Sequence, residues 1–175
     1  MRMKKAVFVL VVVSLMINLC GCAHTNPDEG YMLIRIHIRA DSNSAADQGV
    51  KLKVRDAVTA YLEAELDVDD YASAYAGIEK RLDAVKALAD GVLEREGFPY
   101  RARVRLNNEL FPARSYGGIV VESGYYDALI IELGSGQGDN WWCVIYPPLC
   151  FLEAESAGGV VYRSKIAELW EKYFG

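Results

Sequence analysis

Hydrophobic and polar residues alternate along two segments of the chain, and each alternation predicts a half-buried β-strand. In residues 32–39, isoleucines lie on one face and basic side chains on the other: Arg35, His37 and Arg39. Residues 100–106 repeat the pattern, with arginines at every second position: Arg101, Arg103 and Arg105. A period of two residues indicates a strand because successive side chains point to opposite sides. We expect the apolar faces to be buried and the basic faces to be exposed.

Apolar residues recur at helical spacing in two longer segments. The first follows Ser44, which with Asp47 resembles a capping box, and its apolar stripe runs from Val50 to Leu62. The second follows the acidic segment 66–71 and extends to about Glu96, where Gly97 can adopt the left-handed turn that ends a helix. We predict two long, antiparallel helices that cover one side of a sheet.

The remaining pattern predicts three more strands and a last helix. The strands are expected at residues 118–122, 127–133 and 141–146, and the helix at residues 164–174. Pro147-Pro148 stops the final strand because proline cannot donate to the ladder. The order β-α-α-β-β-β-β-α predicts an α+β fold: one domain at residues 31–175, with a mostly antiparallel sheet of about five strands, two long helices and a C-terminal helix packed on it.

The first 23 residues have the layout of a signal peptide. A basic start precedes an apolar run from Ala6 to Leu19, and small residues follow. Leu19-Cys20-Gly21-Cys22 also resembles a lipobox, which makes Cys22 a candidate for lipidation. The run is short for a membrane-spanning helix, which needs about 20 residues, so an uncleaved anchor is a further alternative. We expect the rest of the chain to be exported, with residues 24–30 as a flexible leader.

Charge narrows the choice of partners. Removal of residues 1–23 takes away three of the 19 basic residues and no acidic one, so 16 basic residues face 24 acidic ones and the formal charge becomes −8. This balance argues against nucleic acid or anionic lipid head groups as partners. The arginines of the two predicted strands would nevertheless form a local basic face. That face either docks an acidic partner segment or is a solvated face paired with helix carboxylates.

Three kinds of catalytic or cofactor site are disfavoured by the residues present. The glycines at 134, 136 and 138 connect two strands instead of entering a helix, so a hairpin loop is favoured over a phosphate site. A metal site is disfavoured because ligands are too few: the only histidines are His24 and His37, and Cys143 and Cys150 are not as closely spaced as the cysteines of a zinc knuckle. A cysteine hydrolase would have to pair Cys143 or Cys150 with His37 as its base. We name no catalytic, cofactor-binding or metal-binding residue.

The most unusual segment is the corner between Gly138 and Cys150. It combines adjacent tryptophans, a double proline and two cysteines. Cys143 and Cys150 either form a disulfide, since exported chains meet oxidising conditions, or are buried as small hydrophobic thiols. Trp141 and Trp142 must point to opposite faces of their strand. One of them is either an exposed binding residue or is packed under the C-terminal helix.

Four segments resemble the stage II sporulation protein R family of endospore-forming Firmicutes. They are Ala40–Val58 (ADSNSAADQGVKLKVRDAV), Phe111–Gly117 (FPARSYG), Tyr126–Leu129 (YDAL) and Gly138–Phe151 (GDNWWCVIYPPLCF). The resemblance runs collinearly from about residue 31 to residue 153, and the last segment is its most specific part. The family usually has Asn-Ser-Asp where this chain has Asp41-Ser-Asn43.

The resemblance implies an intercellular signal of sporulation and not a catalyst. Members are made in the forespore and exported into the space between forespore and mother cell. There they activate a membrane-embedded aspartic protease, stage II sporulation protein GA, which processes pro-sigma-E. The residues we expect to contact this partner are Asp139, Asn140, Trp141, Trp142, Pro147 and Pro148. The alternatives are an extracytoplasmic cysteine-dependent cell-wall or peptide hydrolase and a structural lipoprotein.

Overall fold

The described elements run from a first strand, through three helices, to five further strands. The computed structural model describes residues 32–67, 69–116, 119–150 and 171–173. The elements are β1 (Ile34–Arg39), α1 (Ala45–Glu65), α2 (Tyr71–Glu79), α3 (Leu82–Arg95), β2 (Ala102–Phe111), β3 (Arg114–Tyr116), β4 (Ile119–Val121), β5 (Gly124–Leu133) and β6 (Asn140–Tyr146). The predicted signal peptide, the leader and Cys22 lie outside these residues, as does most of the predicted C-terminal helix, of which residues 171–173 are helical.

Four strands form the main sheet in the order β2-β5-β1-β6, and β3 and β4 pair with each other in a second, small sheet. In the main sheet β2–β5 and β1–β6 are antiparallel, whereas β1–β5 is parallel. The parallel pair is possible because the helices and β2 lie between β1 and β5 in sequence, which gives the long crossover that parallel neighbours need. The α+β class and the mostly antiparallel sheet are therefore confirmed.

One face of the main sheet, which we call the helix face, carries the apolar core. Ile34, Ile36 and Ile38 are fully buried there, and so are side chains from all three helices and from β5: Val54, Val58, Leu62, Ala74, Ile78, Val85, Ala89, Leu93, Leu129, Ile131 and Leu133. Complete burial of one such aliphatic side chain contributes about 1.5–3 kcal/mol. This layer is what holds the helices to the sheet.

The helix boundaries follow from local chemistry. Ser44 is the N-cap of α1 and accepts the backbone N–H of Asp47, as predicted. Gly97 follows α3 with a φ of 79°, and the N–H of Phe98 bonds back to the carbonyl of Leu93, which closes the helix in the expected left-handed turn.

The second predicted helix is observed as two, α2 and α3, and its division has a visible cause. The Arg81 N–H bonds to the carbonyl of Ile78, while the Gly77 carbonyl, which a continuous helix would pair with that N–H, accepts the Arg81 guanidinium at 3.1 Å. The apolar stripe continues across this break, so the sequence pattern alone resembles one helix.

The opposite face of the sheet, which we call the polar face, corrects one prediction. Its alternating basic residues were expected to be exposed, yet Arg35 is 0% exposed and His37 is 5% exposed. The reason is that residues distant in sequence cover them: Phe111 at the end of β2 and Tyr116 from β3 both contact the Arg35 guanidinium. The polar face is thus half closed and not simply solvated.

Within the described residues, no helix has the length and apolar character needed to cross a membrane.

Candidate functional site

The loop before α1 and the loop before β6 are interlocked by hydrogen bonds. Asn43 accepts the Asp139 backbone N–H at 2.6 Å and donates to the Asp139 carboxylate at 3.2 Å. Lys51, which is 5% exposed, donates to the Asp139 carbonyl at 2.9 Å and to Gln48. Burial lowers the pKa of Lys51. The first and last segments of the family resemblance are therefore joined here, 96 residues apart in sequence.

Glycines make this close approach possible. Gly138 donates to the Ala40 carbonyl at 2.8 Å, and a Cβ at this position would collide with the Ser42 carbonyl. Gly134 has a φ of 59° and lies directly against the Asp41 carboxylate. The glycine loop has positive φ at Gly134 and Gly136, as predicted, but the prediction of a hairpin was wrong, because β1 lies between β5 and β6 in the sheet. The small residues let the two loops meet.

Trp141 and Trp142 point to opposite faces of β6, as predicted. Trp141 packs against the apolar core on the helix face, and its ring lies 5.7 Å from the Arg55 guanidinium. Trp142 is on the polar face, where its ring lies 5.4 Å from the ring of His37 and 4.2 Å from the guanidinium of Arg114. Both side chains are half-buried. Each tryptophan thus lies beside one guanidinium, and Trp142 has the shorter contact.

The proline corner turns the chain directly after β6. The Tyr146–Pro147 peptide bond is cis, Pro147 is buried and Pro148 is half-buried. Cys143 is 0% exposed and Cys150 is 4% exposed, and the Cys150 Sγ donates to the Val144 carbonyl at 2.8 Å. The structure does not join Cys143 and Cys150 in the disulfide that the sequence also allows.

A continuous row of aromatic and basic side chains crosses the polar face. From Trp142 it passes to His37, whose ring lies 5.6 Å from that of Phe111, and then to Arg35, whose guanidinium is 4.3 Å from the Phe111 ring. Tyr126 and Tyr116 flank the same guanidinium at 5.2 and 5.9 Å. The row therefore unites residues from the last three family-like segments around β1.

Arg35 has few partners for a buried cation. Its Nη2 donates to the Tyr116 hydroxyl at 2.9 Å, while its Nε and Nη1 have no hydrogen-bond partner among the described residues. Burial raises the pKa of Tyr116 to about 12, so this hydroxyl is neutral and supplies no counter-charge. The aromatic rings offset part of the desolvation through cation–π contacts.

Five further side chains form an ion-pair network next to this row: Arg39, Arg103, Arg105, Glu109 and Glu132. Glu132 accepts from Arg39 and from Arg105, each at 2.7 Å, and lies 3.4 Å from Arg103. Glu109 accepts from Arg39 at 3.0 Å and from Arg105 at 2.9 Å. The arginines are therefore paired with strand carboxylates, and not with the helix carboxylates that the sequence analysis considered.

The network sets the protonation of its members. Hydrogen bonds from Arg105, with support from Arg39, hold the pKa of Glu132 at about 2, so its carboxylate is charged at any physiological pH. Burial and the Arg39 charge lower the pKa of His37, while Asn140 and Glu109 oppose this shift. A neutral His37 can accept from Arg39 at its Nε2 and keep a proton on Nδ1, which faces Glu109 at 3.5 Å.

The geometry separates Cys143 from the histidine that a cysteine hydrolase would need. His37 pairs with Trp142 in the β1–β6 ladder, whereas Cys143 pairs with Ile36. Since neighbouring positions point to opposite faces, Cys143 lies on the helix face and His37 on the polar face. Among the described residues, no group of three or more His, Cys, Asp or Glu side chains is arranged to hold a metal ion.

Much of the polar face was not predicted from the sequence. The six residues of the corner were predicted as partner contacts, whereas Arg114, Phe111, Glu109 and Glu132 were not. The first two belong to the segment Phe111–Gly117, whose resemblance to a family was the available signal. No local pattern indicates Glu132, because its partners Arg39 and Arg105 are 93 and 27 residues away. Glu109 shares the period-two face of β2 with Arg105, four residues earlier, and this was an available signal.

The comparisons with known proteins identify the family. The model of the family "Stage II sporulation protein R" matches residues 31–156. The chain belongs to this family. It is 34% identical over 173 residues to stage II sporulation protein R of Bacillus subtilis (strain 168), an alignment that covers 90% of this chain and 76% of that relative. No solved structure matches the chain.

The stage II sporulation protein R match covers the whole described architecture from β1 to β6. The interlocked loops, the row around Arg35 and the ion-pair network all fall within it. They are features of the family domain in this chain and not of an appended segment. Membership makes the chain a signalling protein of stage II of sporulation.

Proposed function

We propose that this protein is an exported signal that activates a membrane-embedded aspartic protease, stage II sporulation protein GA, which processes pro-sigma-E in the mother cell. The observation that carries the proposal is the family match over residues 31–156. The predicted signal peptide at residues 1–23 supports export into the space between forespore and mother cell, with Cys22 as an optional lipid tether. The signal acts by being bound, and no cofactor is required.

The surface around the corner is the candidate contact. Asp139 is exposed, and Asn140, Trp141, Trp142 and Pro148 are half-buried, so each can present part of its side chain to a partner. Pro147 is buried, so it acts by shaping the corner and not by direct contact. Half-buried tryptophans in a braced setting are typical of binding hot spots because they lose little entropy when they bind.

Reconstitution in a host that does not sporulate tests the proposal. The full chain is co-expressed with the protease and its pro-sigma substrate, and processing is followed by immunoblot. We expect processed sigma factor only when all three are present and the protease is active. A folded, exported chain that gives no processing above background would overturn the proposal.

A double variant, Cys143→Ser with Cys150→Ser, separates the signal from the hydrolase alternative. A signalling protein that still folds should retain activity, because neither thiol reaches the surface. Loss of processing in a variant with an unchanged melting temperature would favour thiol chemistry instead.

A further inference from the structure

We propose that the polar face binds an acidic, extended segment of a partner protein, with Arg103, Arg105 and Arg114 as the outward donors and Trp142 as the apolar contact. The inference rests on the proposed function only in that the activated protease supplies the partner. The binding chemistry itself is argued from this face alone.

The depth of the charges is the first observation. The carboxylates of the network lie deeper than the guanidiniums they hold: Glu132 and Glu109 are 13% and 18% exposed, whereas Arg39, Arg105 and Arg103 are 27%, 39% and 59% exposed. Solvent therefore meets guanidinium groups, although part of their charge is compensated from below. The two glutamates fix the arginines in place, which lowers the conformational entropy that is lost when a partner binds.

The balance of charge on this face is the second observation. The main-sheet strands contribute four arginines to it, Arg35, Arg39, Arg103 and Arg105, against two glutamates, Glu109 and Glu132. Arg114, stacked on Trp142, adds a fifth positive charge. The whole chain has a formal charge of −5, so this face has the opposite sign to the molecule that carries it. Such a local inversion selects an acidic partner and orients its approach.

The positions of the outward donors indicate the shape of the ligand. Trp142, on which Arg114 stacks, and Arg105 lie at the two ends of one register row across all four strands, and the buried His37 and Ile130 lie between them. Three strand spacings amount to about 14 Å, which an extended peptide of about four to five residues spans. A single phosphate group is too small to bridge this row. A nucleic acid is disfavoured by the repulsion from the acidic remainder of the chain. Carboxylates spaced along a peptide match the row, because guanidinium groups bind them in planar pairs.

A labelled peptide probe tests the binding directly. The probe is a ten-residue alternating Gly-Glu peptide with a fluorescent label, and the matched control peptide is alternating Gly-Gln. Fluorescence anisotropy should show that the wild-type chain binds the Glu peptide more tightly than the Gln peptide, with an affinity that falls as salt increases. The double variant Arg103→Glu with Arg114→Glu should lose at least tenfold in affinity.

A second charge-reversal variant serves as the control. Lys80→Glu with Arg95→Glu changes the formal charge by the same amount but at exposed positions on the helical side, after α2 and at the end of α3. It should bind the Glu peptide nearly as well as the wild type. Equal losses in both double variants would show a non-specific charge effect and would overturn the proposal, as would absence of binding by the wild type.

The processing assay distinguishes this inference from the proposed function. If the wild type triggers processing and the folded Arg103→Glu, Arg114→Glu variant triggers it equally, the surface proposal fails and the signalling function stands. If the wild type binds the Glu peptide but never triggers processing, the proposed function fails and the surface proposal stands.

Should the reversed variant not fold, the Arg103→Gln, Arg114→Gln variant replaces it, and we again expect a loss of affinity for the Glu peptide. Sedimentation tests the remaining alternative. If the wild type self-associates in a salt-sensitive way and the reversed variant does not, the face binds a second copy of this chain, and the proposal of a separate partner protein is overturned.

Discussion

The two faces of the main sheet are buried by different means. The helix face buries isoleucines and leucines under three helices, and its stability comes from apolar area. The polar face buries Arg35 and His37 just as deeply, but it does so with aromatic rings, ion pairs and one hydroxyl. Apolar burial is non-directional, whereas the contacts of the polar face depend on geometry and on charge. We infer that the helix face maintains the fold and that the polar face is specialised for recognition.

The largest expected difference is between two isoleucines on opposite faces. Ile36→Ala on the helix face should lower the free energy of unfolding by about 4 kcal/mol, and Ile130→Ala on the polar face by about 2 kcal/mol. Both are fully buried, but the small cluster around Ile130 adjoins half-exposed side chains that can move into the space. Urea unfolding of both variants measures this; equal losses would show that the two faces pack alike.

The next effect concerns the ion-pair network and its pH dependence. Glu132→Gln should cost about 1–2 kcal/mol at pH 7, a range that is modest because solvent screens the partner arginines. The pKa of Glu132 falls from 4.5 to about 2 on folding, so its contribution is complete above pH 4.5 and is lost as the pH falls towards 2. Urea midpoints at pH 6 and pH 3 should therefore differ less in the variant than in the wild type. An identical pH dependence in both would contradict the role of this carboxylate.

Substitutions of Trp141 and Trp142 compare the two faces at adjacent positions of β6. Trp141→Phe and Trp142→Phe should each lower stability by about 1 kcal/mol, since both rings are half-buried and Phe fills most of the space. Their effects on signalling should differ, because Trp142 lies on the polar face beside Arg114 and Trp141 packs against the core on the helix face. Processing assays should show a larger loss for Trp142→Phe than for Trp141→Phe. A loss confined to Trp141→Phe would place the contact on the other face.

The smallest expected change in stability is at the most buried cation. Arg35→Met keeps the length of the side chain and removes a guanidinium, two of whose nitrogens have no hydrogen-bond partner among the described residues. The free energy of unfolding should therefore stay within about 1 kcal/mol of the wild type. Thermal unfolding checks this. A loss of more than about 3 kcal/mol would mean that the contacts of the guanidinium with the aromatic rings and Tyr116 outweigh the free-energy cost of its desolvation.

The sequence predicts the helix face well and the polar face poorly, for one physical reason. Alternation in residues 32–39 determines which side chains share a face, and the structure confirms that division. Whether the basic side is exposed depends on Phe111, Tyr116 and Glu132, which come from other strands and meet β1 only in the folded sheet. The strand that brings Tyr116, β3, has three residues and no periodicity to reveal it. The opposite orientations of Trp141 and Trp142 could be predicted, because adjacent side chains on a strand point to opposite faces.

The order of strands in the sheet has a consequence for how the chain is made. β1 is the first of the described strands to be synthesised, yet Ile34 pairs with Asp127, 93 residues later, and with Tyr146 later still. A growing chain therefore cannot close the main sheet until almost all of it has emerged, since such distant pairing costs loop-closure entropy that no local contact repays. A polypeptide that is exported through a membrane channel has to be unfolded while it passes, so slow closure of the sheet favours its export. Late closure of the sheet would therefore suit the export that we propose.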